Sequence, residues 1–169
     1  VSSGSPLSAK SGAVVGLVAL VVGWVIYDFL WKACAKNETA GTVVCWLLIT
    51  GTAYGLGQVF SGRAMFIHVG AILGTAMAAN VWMRIWPAQR KIIAAIKEGN
   101  PPPEGLAPMA GLRSKHNTYM AVPLLLLMVS NHYPGLYGGE NNWIAASAII
   151  AVGWVLTRLM YNKAGTAAP

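Results

Sequence analysis

The sequence predicts an all-α integral membrane protein: a five-transmembrane-helix bundle with its N-terminus outside, on the periplasmic side, and its C-terminus in the cytoplasm. Three observations predict it. Only 10% of the 169 residues are charged and 56% are hydrophobic, whereas a soluble domain is about a quarter charged. The apolar residues gather in runs of about 20, enough to cross a bilayer. Lys and Arg are spread unevenly between the connections, as the positive-inside rule requires. That rule also accounts for the net charge of +7 without any nucleic-acid partner.

Residues 1–11 form an extended, small and polar N-terminal segment (VSSGSPLSAKS). The first span, 12–31, ends in GWVIYDFLWK, whose Trp24, Tyr27 and Trp31 are placed as an interfacial aromatic belt. Asp28 and Lys32, at i and i+4, read as an ion pair anchoring that end at the membrane surface. The alternative is a proton-relay carboxylate at Asp28. The second span, 39–60, is rich in Gly and Thr, as where helix backbones approach closely. The tight Ser61-Gly62-Arg63 connection makes it a hairpin with the third span, 64–86. In that third span His68, Ile72, Thr75 and Ala79 share one face, while Gly70, Gly74 and Ala78 follow a small-xxx-small spacing on another.

Pro87 opens a short amphipathic helix, 87–98, expected to lie on the inner membrane surface. A stiff Pro-rich loop follows over 99–108. The fourth span, 117–133, is short and holds Pro123 as a helix-kinking residue. The fifth is 142–161, before a polar tail, 162–169, expected to be disordered. The membrane domain is therefore 12–161. With the connection after span three on the inside, Lys10 and Arg63 alone among the twelve basic residues face outward. The localisation this implies is multi-pass, in a bacterial inner membrane. Cys34 and Cys45 form no C-x-x-C or C-x-x-C-H, so any c-type haem belongs to a partner chain.

The chemistry concentrates in three histidines. An imidazole in an apolar span is costly unless a partner, ion or cofactor takes it up. His68 lies about one turn below the outer rim and His132 near the same rim, with depths that differ by roughly 5 Å at 1.5 Å per residue. They are candidate axial ligands of the iron of one b-type haem, or each pairs with a histidine of another chain. His116 is about 24 Å from His132 along an unbroken helix and belongs to a separate inner site; its bland reading is a helix cap or a lipid-phosphate contact. No H-x-x-x-H or H-E-x-x-H spacing occurs, which argues against a self-contained zinc or di-iron site.

Four blocks carry a family resemblance: GWVIYD, GRAMFIHVGAILGTAMAANVW, PAQRK and RSKHNTYMAVPLLLLMVSNHYP. Over about 23–134 they resemble the integral-membrane domain of PuuD-type urate hydroxylases, and only its C-terminal half. Those proteins are membrane-bound, typically fused to a cytochrome c domain, and are implicated in oxidising urate to 5-hydroxyisourate with electrons passing to the c-type haem. The resemblance carries over to His68, His116, Asn117, Tyr119, Asn131 and His132. It implies partner chains: other membrane subunits that supply the remaining half-domain, and a c-type cytochrome.

Three functions follow. An enzyme of this kind would use Arg63 or Arg113 for the charge of an anionic purine, with Asn117, Tyr119 and Asn131 as hydrogen-bond partners. No nucleophile, carboxylate pair or nucleotide motif is present, so its oxidation chemistry relies on a bound cofactor. The alternatives are a haem b electron-transfer subunit, or a purely structural subunit, of a respiratory or photosynthetic complex.

Overall fold

A computed structural model describes residues 7–167, with side chains as far as residue 164. Those residues are helical throughout apart from short connections, and no strand occurs among them. Helix α1 (Ala9–Ala33) starts three residues before the expected span, because the Ser8 hydroxyl caps it by accepting from the Ser11 amide at 3.2 Å. The rest of the expected extended segment, residues 1–6, lies outside the described residues. Helix α2 (Glu38–Val59) is capped by Asn37, and α3 (Gly62–Asn80) by Ser61. This is the tight hairpin that Ser61-Gly62-Arg63 predicts.

The third span differs from expectation. Helix α3 runs through a π-helical turn, Val81–Ile85, directly into α4 (Trp86–Lys97). The expected surface helix is thus the far end of one 36-residue rod, Gly62–Lys97. Pro87 sits in the first turn of α4, where its missing N–H costs little and the wide π turn precedes it. At 1.5 Å per residue the rod is about 54 Å long, well beyond the roughly 30 Å hydrocarbon core. Its last turns, carrying Arg90, Lys91 and Lys97, extend past the apolar stretch.

Helix α5 (Leu106–Val129) begins eleven residues before the expected span, which shortens the Pro-rich loop. Its buried stripe, Ala110, Arg113, His116, Met120, Pro123 and Leu127, has helical spacing from end to end. The polar half of α5 is therefore part of the bundle and not a rim preceding it. A 3₁₀ turn (Ser130–His132) and a short α6 (Pro134–Tyr137) lead to α7 (Asn142–Ala167). Residues 162–167, expected in a disordered tail, continue that helix; 168 and 169 lie outside the described residues. Among the described residues, four helices are long and apolar enough to cross a membrane: α1, α2, the α3–α4 rod and α7. Helix α5 is not among them, since only its second half is apolar.

The core runs along α3, which packs lengthwise against α5 on one side and α1 on the other. Gly70 admits the Met128 side chain of α5, and Gly74 admits Leu124. On the opposite side Gly16 and Gly23 of α1 lie against His68 and Ile72. Helix α7 closes the bundle against α5 and α2. There Gly153 meets Pro123 so closely that a Cβ would fall 2.8 Å from the proline Cδ.

Candidate functional site

The sequence places polar residues at both ends of the α3–α5 pair, and the two ends are built differently. At the end where α3 begins, Arg63 Nε donates to Asn131 Oδ1 at 3.3 Å, and Asn131 Nδ2 donates to the Met128 carbonyl. His132 follows in the 3₁₀ turn and is exposed. His68 is half-buried: Nδ1 is 2.7 Å from the Ala64 carbonyl, and the ring stacks on Phe60 at 4.4 Å. A carbonyl only accepts, so the Nδ1 proton is fixed and Nε2 keeps its lone pair. That nitrogen lies where a Cβ on Gly16 would stand, against the backbone of α1.

The other end is buried and densely connected. Asp28 of α1 is 3% exposed and meets three cations. Arg84 donates to it through Nε at 2.9 Å and through Nη2; Arg113 Nη2 donates to Oδ1 at 2.9 Å and to the Asp28 carbonyl at 3.2 Å. Lys32 Nζ is 2.9 Å from Oδ2. The Asp28–Lys32 pair therefore forms as the i, i+4 spacing predicts. Its carboxylate, however, faces the bundle interior and not the membrane surface, because α1 turns Tyr27, Asp28 and Trp31 inward together.

Around this ion cluster lies a directed amide network. Asn80, fully buried at the end of α3, donates through Nδ2 to Tyr27 Oη at 2.8 Å and to Asn117 Oδ1 at 2.9 Å. Asn117 Nδ2 donates to the Met77 carbonyl at 3.1 Å. Tyr27 Oη is 2.9 Å from His116 Nδ1, and Trp31 lies over the His116 ring with centroids 4.0 Å apart. The Arg113 guanidinium sits 5.1 Å from the centre of the Tyr27 ring. His116 is 9% exposed, and its Nε2 has no hydrogen-bond partner.

His116 also lines a cavity of about 680 Å³ between α1, α2, α3, α5 and α7. Trp31, Trp46 and Trp154 contribute aromatic walls, with Lys115, Arg158 and Glu38 also on the lining. Its size is that of a small-ligand pocket. Tyr119 lines it as well and stacks on Tyr161 at 5.6 Å.

The four residues expected to bind substrate divide between the two ends. Arg63 and Asn131 meet at one; Asn117 and Tyr119 stand at the other, about 21 Å away at fourteen residues of helix. They do not contact one ligand within this chain. His68 and His132 are likewise not brought together, since His68 faces α1 while α5 packs on the Gly70 side of α3. Sequence reasoning missed Tyr27, Asn80 and Arg84, and it left Asp28 without its two arginines. The available signal was Asp28 itself: the one acidic residue inside the apolar spans, with a span-end Arg on α3 and another on α5.

No group of three or more His, Cys, Asp or Glu side chains placed to hold a metal ion occurs among the described residues. The family model for the N-terminal region of urate oxidase matches residues 2–168, a wider stretch than the four motif blocks cover. No curated protein and no solved structure matches the chain.

Proposed function

The chain belongs to the urate oxidase N-terminal family, and on that premise we propose that it is a membrane-embedded redox subunit that binds urate in the cavity beside His116. The observation that carries this reading is His116 itself. It is buried, clamped by Tyr27 on one nitrogen and by Trp31 on its face, and it keeps a free nitrogen at a cavity wall. A buried imidazole held that rigidly with one unmet valence is a preorganised ligand contact. The indole walls suit a planar heterocycle, and Arg158 suits its negative charge, Lys115 being ion-paired with Glu38 on the same lining.

In this reading urate gives up two electrons and takes an oxygen from water, with the net release of that water's two protons, to become 5-hydroxyisourate. The electrons pass to the haem of a c-type cytochrome partner. Further membrane helices from partner subunits complete the domain, and α5 serves as a fifth span with the N-terminus outside the bacterial inner membrane. That orientation puts the Asp28 cluster and the cavity toward the cytoplasmic side, together with most of the Lys and Arg. Anionic lipid headgroups are the natural contacts of the basic end of the α3–α4 rod.

A b-type haem on His68 and His132 does not fit the chain as folded: His68 Nε2 abuts α1, and His132 is on another side of α3. No step is routed through it. The test is urate-dependent reduction of the c-type cytochrome by the intact complex, compared with a His116→Ala variant. Loss of reduction by about a hundredfold or more with the assembly intact supports the urate site. Unchanged reduction sinks it, and a complex that never responds to urate leaves the electron-transfer or structural subunit.

A further inference from the structure

The hydrogen bonds around Tyr27 have a direction, and that direction sets the chemistry of His116. It starts at the Met77 carbonyl, which only accepts. Asn117 must therefore present its NH₂ to Met77, as it does at 3.1 Å, and its Oδ1 to Asn80. Asn80 must then turn its own NH₂ toward Asn117, since two carbonyl oxygens would otherwise face each other. The second proton of that NH₂ goes to Tyr27 Oη at 2.8 Å. Tyr27 thus spends an oxygen lone pair on Asn80, and its single O–H is left for His116 Nδ1 at 2.9 Å. A hydroxyl that donates to Nδ1 requires Nδ1 to be the unprotonated nitrogen. The proton of the neutral ring is then on Nε2.

We infer that His116 is a hydrogen-bond donor of fixed tautomer, its proton on the buried Nε2 of a residue that lines the cavity, and that the site takes a planar anion by its acceptor edge. Its neighbours support this. The other polar atoms without a hydrogen-bond partner on the cavity's lining residues are Trp154 Nε1 and Trp31 Nε1, the latter in reach only of the weakly accepting Cys45 sulfur. All three are N–H donors, and no acceptor on the lining stands orphaned among the described residues. Buried donors without acceptors are costly, and a ligand rich in carbonyl oxygens or deprotonated ring nitrogens relieves that cost. Arg158 reinforces the preference for negative charge, while Lys115 is ion-paired with Glu38 on the same lining. Asn117, Asn80 and Tyr27 are then positioning residues: Asn117 and Asn80 stand off the cavity lining, Tyr27 is on it with its hydroxyl engaged by Asn80 and His116, and together they decide which nitrogen of His116 carries the proton.

This inference rests on the urate reading for its ligand but not for its first test. ¹⁵N-labelled histidine in the intact protein, in lipid nanodiscs, distinguishes the two tautomers by nitrogen chemical shift at neutral pH. The expected spectrum has a pyridine-like Nδ1 and a protonated Nε2 for His116, with assignment by its disappearance in His116→Gln. Tyr27→Phe removes the clamp, and the two tautomers should then mix. A protonated Nδ1 in the unmodified protein overturns the inference, whatever the variants do.

The second test uses urate binding. In His116→Gln the amide N–H can occupy the place of Nε2–H, so affinity should stay within about threefold, whereas His116→Ala should weaken it by about tenfold. Equal loss in both variants means that the ring is needed for something other than donation. If the unmodified protein binds no urate, the functional reading fails while the tautomer measurement stands by itself.

Discussion

The two ends of the α3–α5 pair use similar residue types to different effect. At one, Arg63, Asn131 and His132 lie at the rim, where one exposed hydrogen bond at 3.3 Å joins Arg63 to Asn131. At the other, Arg84, Arg113, Asn80, Asn117 and His116 are drawn into the bundle around Asp28 and Tyr27. The rim residues can exchange their partners for water at little cost. The inner ones cannot, so each needs a partner and each partner constrains the next. Direction and tautomer are therefore set by a connected network only at the buried end, whereas at the other a single carbonyl orients His68, and the buried end is the one that borders the cavity.

The comparison is tested most severely at Asp28. Asp28→Ala leaves Arg113 buried without its counter-charge and should destabilise the protein by about 3–5 kcal/mol, read as unfolding in mixed micelles. A loss below about 1 kcal/mol would mean that the cluster is solvated, and the contrast with the rim would disappear. Asn80→Leu, which strands Tyr27 and Asn117 together, is expected to cost about 2 kcal/mol in the same measurement. On the rim side, His68→Ala removes a half-buried ring stacked on Phe60 and should cost about 1 kcal/mol, seen as a small fall in melting temperature in detergent. Arg63→Ala should be the mildest, within about 0.5 kcal/mol by thermal melting. If Arg63→Ala proves as damaging as Asn80→Leu, the rim is structurally coupled in the native assembly and the two ends are alike.

Apolar runs and small-residue spacings made the helices legible, including which face of α3 meets which neighbour. Gly70 and Gly74 face α5, as their separation from His68 implies, but the His68 face is covered by α1 and not left for a ligand. The boundaries that failed share a cause. Arg113 and Lys115 are charged, and hydropathy reads charge as the mark of a loop. In this fold Arg84 and Arg113 are paid for by Asp28, a long-range pairing to which hydropathy is blind. Likewise Pro87 was read as a fresh helix start, because a π turn before it leaves no trace in composition. The stripe Ala110, Arg113, His116, Met120, Leu127 was present in the sequence, but recognising it requires treating Arg and His as inward-facing. The cavity was not legible at all, since it arises from five helices meeting.

The Asp28 cluster also has a history within each molecule. Arg84 is made 56 residues after Asp28, and Arg113 85 residues after. At about 5–20 residues per second of synthesis, several seconds pass in which Lys32 is the sole counter-charge within α1. During that interval the end of α1 that carries Asp28 is better held at the headgroups than in the hydrocarbon. The last move that seats it inward belongs to the arrival of α5, so one carboxylate ties the placing of the first helix to a helix made much later.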